Sequence, residues 1–573
     1  MMRESSGSAE KLMSEGQKAM ERTDWAEAKE CFEAALEIKE TPDVLDSLGL
    51  AAWWLDDADT TFKSREKAFQ LYRGQRNTRA AARVAISIAY DYFSFRGEYA
   101  LSNGWSRRAH RLLKKVETTV PEHGWIKAWD GNVAIEAEHD PLKAFRLGRE
   151  AAKIAQQVQD FDLQMMSIAL QGLARVFEGK VDEGMPLLDE AATAAMAGEI
   201  SDLETSINVC CYLIAACEWV RDYSRAVQWC FHVKDRTGDG TFPLMFSFCQ
   251  IHYAGVLTLN GDWDEAETLL MKASNNLIES RPAHAAEGLV KLAVICRLRG
   301  DYDRADELLN RADEKPFRML GANLVLLERA ALAYDRDEPV TAVHLAERYL
   351  RNIPEKCRLM MPKGLGILTL AQIALHNFEE AADAYARLQK IADMAGTESL
   401  LAFAHYTNGR VHLAKKEYLQ ACERFEQSVE LFDRNENPFQ TARSRCGMVE
   451  ALHCLGRKEP ALKEIHSAIK TFEELQAKPE LDRAKTILKK ITSLSEEHAD
   501  SSSPDAFTAR EKEILCEIAR GKSNSDIASA HYISKRTVER HISNIYGKLG
   551  ISGKSARSKA TAFAHRNGLV EGE

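Results

Sequence analysis

Thr508-Ala-Arg-Glu-Lys-Glu-Ile-Leu-Cys-Glu-Ile-Ala-Arg-Gly521, then Lys522-Ser-Asn-Ser-Asp-Ile-Ala-Ser-Ala-His-Tyr-Ile-Ser534, then Lys535-Arg-Thr-Val-Glu-Arg-His-Ile-Ser-Asn-Ile-Tyr-Gly-Lys-Leu-Gly550: these three phrases spell helix, turn, helix. Thr508 and Glu511 have the spacing of a capping box, in which each side chain satisfies a free backbone N–H of the other. Ile514, Leu515, Ile518 and Ala519 then share one apolar stripe, and Gly521 suits the left-handed residue that ends a helix. A second helix is predicted from Ser523 or Asn524, with Ile527, Ala528 and Ala530 turned inward. The chain turns at His531-Tyr532-Ile533, and Ser534 caps a third helix that runs to Gly550.

A rotation of about 100° per residue sorts the faces of that third helix. Val538, Ile542, Ile545 and Leu549 fall on the side that faces a core. Arg536, Arg540, Ser543 and Asn544 lie opposite, with Lys535, Thr537 and Glu539 on the shoulders near the N-terminal end. An apolar back fixes such a helix on a scaffold, and its front of forked donors suits the major groove of double-stranded DNA. Arg540 has the reach for a bidentate bond to a guanine edge. Glu539 repels phosphate, so it either accepts from a cytosine amino group or holds Lys535 one turn earlier.

These phrases, with the closing Asn567-Gly-Leu-Val, resemble the LuxR-type helix-turn-helix of bacterial transcription regulators. The resemblance implies a four-helix domain with base reading from Glu539, Arg540 and Ser543. It implies phosphate contacts from Lys522, Ser523, Arg536, Thr537 and Lys548, and pairing through the fourth helix. Asn524, beside Lys522 and Ser523, is counted with the DNA-facing set. Many members carry Lys where this chain has Glu539, and Lys554 replaces a frequent Arg, so a preferred base sequence does not carry over.

The fourth helix, expected over Lys554 to Asn567, has Ala556, Ala560, Phe563 and Ala564 on one stripe. Two readings stay open for it: a dimerisation face, or a cover for the domain's own core. A homodimer on DNA is expected, because one reading helix makes few base contacts and paired half-sites lie about one helical turn apart. A phosphate-loop reading of Gly521-Lys-Ser fails, since Cys516 stands where the earlier Gly is needed; Gly553-Lys-Ser fails likewise, with Lys548 at that place.

Outward from this segment, the 573-residue chain carries a formal charge of −10, split unevenly: +4 from Asp505 onward and −14 before it. The acidic body repels DNA, only the tail suits it, and the two can fold together. The twelve cysteines are scattered without a C-x-x-C pair, and the first residues, MMRESSGSAEKLMSEGQ, lack an apolar stretch. A reduced, cytoplasmic protein is expected, with most thiols acting as small core residues and no disulfide framework. The longest uncharged run, Gly240 to Gly261, holds Pro243, Gln250, His252 and Asn260, so no membrane span is expected there.

From residue 9 to 493 the chain is helical pattern after helical pattern with recurring punctuation, as in Thr23-Asp-Trp25-Ala-Glu-Ala28, Gly300-Asp-Tyr302-Asp-Arg-Ala305 and Glu417-Tyr418-Leu-Gln-Ala421. The marked alanines step through Ala226, Ala266, Ala305, Ala342, Ala381, Ala421 and Ala461, a period of 37 to 40 residues. This resembles the tetratricopeptide pattern with slightly longer helices, and about twelve hairpins are expected. The curvature of such a stack makes a groove suited to a peptide or protein partner, with Trp53, Trp54, Trp125, Trp129, Trp219 and Trp229 as lining or core. Residues 494–506, Ser-rich and polar, are predicted to be a linker, and 507–570 the DNA-binding domain.

The expectation is therefore an all-α transcription regulator: a tetratricopeptide-like solenoid that senses or docks an effector, RNA polymerase or another partner, followed by a four-helix LuxR-type domain. The alternative is a tetratricopeptide interaction scaffold with non-specific or no DNA binding. No receiver-like β/α alternation, ATPase loop, metal cluster or catalytic motif is found, so no cofactor and no enzymatic activity are expected.

Overall fold

A computed structural model describes all residues of the chain except 1, 223, 231–244, 315–319, 494–506, 550, 552, 554, 567–568 and 570–573. The predicted linker, together with Lys554 and Asn567, lies outside the described residues. Among the described residues there is no strand. The chain is all-α: antiparallel helix pairs stacked into a tetratricopeptide-like solenoid from Met2 to Ser493, then four short helices at the C-terminal end.

Local chemistry explains the recurring punctuation. The residue before the Asp of each phrase turns the chain in the left-handed conformation, as at Thr23 (φ 60°), Asp56 (φ 59°) and Gly300 (φ 89°). The following Asp then caps the second helix of the pair: Asp24 accepts from the Glu27 N–H, Asp57 from Thr60 and Asp301 from Arg304. The marked alanine one turn later lets neighbouring helices close. Ala226, Ala266, Ala342, Ala381, Ala421 and Ala461 are completely buried. Close approach is needed around Phe425, whose ring lies against Gly409 and Gly447, where any larger residue would collide with it.

The solenoid coils tightly enough for its turns to touch. Arg281 donates to Asp56 at 2.7 Å, and its guanidinium lies 4.7 Å from the Trp53 ring and 4.3 Å from Phe95. Lys356 reaches Asp140 at 2.6 Å, the Cys357 thiol donates to the His139 carbonyl, and Ser399 donates to the Arg221 carbonyl at 2.8 Å. Trp53, Trp54 and Trp129 are buried, and Trp125, Trp219 and Trp229 pack half-buried against the main core, so this aromatic set serves chiefly as core.

One cysteine pair departs from the expectation of scattered core thiols. Cys211 and Cys249 form a disulfide with Cα atoms 6.0 Å apart. They stand 38 residues apart, one repeat period, so equivalent positions of successive first helices face each other. Helix Leu203–Val220 is long and apolar enough to cross a membrane by composition, but half of it is buried inside the solenoid, where a core helix is also apolar.

Candidate nucleic-acid interface

The C-terminal unit is built from helices Ala509–Ala519, Asn524–Ala530, Lys535–Lys548 and Ala556–Arg566. Its starts are fixed locally. Thr508 Oγ1 accepts from the Glu511 N–H at 3.2 Å, and Glu511 Oε2 accepts from the Thr508 N–H at 2.8 Å. Ser523 and Asp526 form a second reciprocal box, and Ser534 Oγ accepts from the Thr537 N–H at 3.1 Å. Gly521, at φ 80°, makes the turn after the first helix. Phe507, Ile514, Leu515, Ile518, Ile527, Val538, Ile542 and Ile545 form one core, closed by Ala560 and Ala564.

This core orients helix Lys535–Lys548 as the sequence faces require, and the expected front divides in two. Lys535, Arg536, Glu539 and Ser543 are exposed, as is Ser523 at the next helix start. Lys522 pairs with Glu517, and Asn524 accepts from Arg557 at 3.0 Å. Thr537, Arg540 and Asn544 are buried, and Arg540 is only 6% exposed. The Lys548 side chain is covered where the domain meets the solenoid, paired with Glu511 and with its ammonium 5.5 Å from the Phe507 ring centroid. Burial pushes this amine down to about 7, against the opposing pull of Glu426. Ala560 and Ala564 belong to the domain's own core, Ala556 is buried, and the Phe563 ring lies 5.7 Å from that of Phe507. The expected dimerisation stripe is thus occupied within the chain.

What covers Arg540 and its neighbours is the solenoid. The His541 imidazole is fully buried between two carboxylates of helix Tyr418–Arg434, with Nδ1 2.8 Å from Glu426 and Nε2 2.7 Å from Glu430. Burial opposes its charge, but Glu426 and Glu430 outweigh burial and raise its pKa above the ordinary value. Burial would likewise raise Glu426, yet His541, Arg540 and Lys548 hold it down at about 2. Arg540 Nε stands 3.8 Å from Glu464 of helix Lys458–Glu474, and Arg510 Nε 4.0 Å from Glu430. Arg434 donates to the carbonyl of Tyr532, a left-handed turn residue whose ring is otherwise in solvent.

Helix periodicity alone assigns no role to His541, Arg510, Glu426, Glu430 or Glu464. A signal existed: Glu426 and Glu430 stand one turn apart beside the buried Cys422, Phe425 and Val429, so acid lies next to a core face. Elsewhere, Glu218, His252 and Glu287 converge like a metal triad. The Lys291 ammonium lies 2.6 Å from Glu218 and 3.3 Å from Glu287, so both carboxylates already pair with a cation.

Residues 505–557 match the family described as bacterial regulatory proteins, luxR family, and residues 248–312 match the tetratricopeptide repeat. The C-terminal segment is a LuxR-family helix-turn-helix domain. The transcriptional regulatory protein LiaR of Bacillus subtilis is 37% identical over 107 residues, 19% of this chain and 48% of LiaR. The response regulator protein VraR of Staphylococcus aureus is 42% identical over 67 residues, 12% of this chain and 31% of VraR. The chain thus spans half or less of these relatives' length, the part that includes the LuxR-family domain. Among solved structures, the Cut9 and Hcn1 hetero-tetramer aligns over 97% of this chain and 96% of that one, at 12% identity and TM-score 0.43. A Rap protein complexed with Competence and Sporulation Factor aligns over 63% of this chain and 96% of that one, at 12% identity and TM-score 0.38. Both likenesses are too loose to bear on function.

Proposed function

We propose that this chain is a sequence-specific, DNA-binding transcription regulator of the cytoplasm, whose solenoid docks a partner and whose LuxR-family domain reads DNA as a homodimer. The observation that carries the reading is the helix Lys535–Lys548. Its apolar back is locked into a four-helix core, while Lys535, Arg536 and Ser543 stand exposed at the outer edge of a front that continues through Arg540 and Asn544. That front offers a forked donor for a guanine edge, an amide for adenine and cations for phosphate. The description of LiaR as a transcriptional regulatory protein supports the same reading. So does the charge, since the tail alone is basic.

The test is selection from a random-sequence duplex library with the full chain, followed by sequencing of the bound fragments. Enrichment of a motif with two half-sites about one helical turn apart is the expected result. Binding without any enriched motif, or no binding at any salt concentration, would favour the interaction scaffold instead.

A further inference from the structure

The LuxR-family domain sits with the inner half of its reading face against the solenoid, and the residues that meet there have the chemistry of a DNA complex with the partner replaced. Arg540, of the expected DNA-facing set, stands beside Glu464, and its neighbours His541 and Arg510 beside Glu426 and Glu430, so carboxylates occupy the side of Arg540 where phosphates would lie. A major groove has to surround the first turns of the reading helix. Helices Tyr418–Arg434 and Lys458–Glu474 already lie along one flank of this helix, from Arg540 and His541 in its middle to Gly547 near its end, beside Pro460. Duplex and solenoid cannot both hold this helix.

We propose that the acidic face of Glu426, Glu430 and Glu464 is an interaction surface for the chain's own reading helix, competing with DNA and keeping the domain closed until the contact is released. This rests on the DNA-binding reading above. The contact is built to be released. Arg540 is buried, yet its Nε and Nη2 have no hydrogen-bond partner, and Glu464 is shared with Arg445 at 3.3 Å. A guanidinium so poorly satisfied loses little on leaving and gains much from a bidentate partner. Arg434 adds a hold from outside the reading face, through the Tyr532 carbonyl, so the surface can be weakened without touching any DNA-facing residue.

The full chain is compared with three variants of itself, using a labelled random-sequence duplex at low salt and amide hydrogen exchange of residues 535–548. Arg434→Ala is the decisive variant: it removes a positive charge, so simple electrostatics predicts weaker DNA binding, whereas release of the surface predicts tighter binding. Glu430→Gln with Glu464→Gln should act in the same direction. The control, Glu473→Gln with Glu474→Gln, makes an equal charge change on an exposed part of the same helix. The expected result is faster exchange and about tenfold tighter binding for the first two and not for the control, since the competent fraction sets the apparent affinity. Faster exchange with unchanged, measurable binding would overturn the proposal and leave the DNA-binding reading standing. Unchanged exchange and binding in both variants would overturn it as well. Faster exchange with no binding in any form would instead remove the DNA-binding reading.

Discussion

Arg540 carries two demands on one guanidinium: it is the forked donor best placed for a base edge, and it is the side chain the solenoid covers. Arg540→Ala should cost about 1–3 kcal/mol on a selected site and much less on random DNA, measured by fluorescence anisotropy on both. Equal losses on both would reduce Arg540 to a phosphate contact. His541 adds a pH dependence. Its environment contains Glu426 and Glu430 on the solenoid, Arg540 on its own helix and Arg510 on the first helix of the domain, with Lys548 and Arg457 near Glu426. The carboxylates raise its pKa on docking, so the stabilisation is complete below the ordinary histidine value of about 6.5 and is lost as pH rises through the raised value. Energy transfer between labels on the solenoid and on helix Ala556–Arg566 should therefore fall as pH rises above neutrality. His541→Gln should remove most of this dependence and leave the part that Lys548, beside Glu426, contributes.

At the level of the element, the short helices of the DNA-binding domain were legible because their signals are local. Thr508 with Glu511, and Ser534 before Thr537, act over three residues, and the spacing of Val538, Ile542 and Ile545 fixes which side enters the core. Ala560 was legible only as a stripe, since two copies and one core use the same small residues; its complete burial here assigns it to the core. Ala560→Glu should then destabilise the domain by on the order of 3–5 kcal/mol, because an uncompensated charge is forced inside. Thermal melting followed by circular dichroism should lose the tail's transition while the solenoid's persists, and an unchanged melt would place Ala560 on an open face. The burial of His541 was not legible. It depends on Glu426 and Glu430, more than a hundred residues earlier, and no local periodicity encodes that pairing.

At the level of the molecule, the repeat period was legible in the marked alanines, whereas the pitch of the coil was not. Pitch comes from small rotations between hairpins summed over about five repeats before Arg281 meets Asp56. The side chains of that contact are both nearly buried, so Arg281→Ala should cost about 3–5 kcal/mol by leaving Asp56 uncompensated between turns. Small-angle scattering of the variant should show a longer particle with retained helicity. An unchanged maximum dimension would mean that the turns are held mainly by the contacts at Lys356 and Ser399.

Arg281 and Asp56 also order events in time. A chain emerging from the ribosome at about 5–20 residues per second makes Asp56 roughly 10–45 seconds before its partner, 225 residues later, exists. For that interval the early hairpins fold as neighbours only, with the Trp53 and Phe95 faces that Arg281 later covers open to water. Joining of the first and second coils is thus a late folding step of high sequence separation, and the nascent chain exposes a sticky aromatic surface for longer than its hairpins take to form.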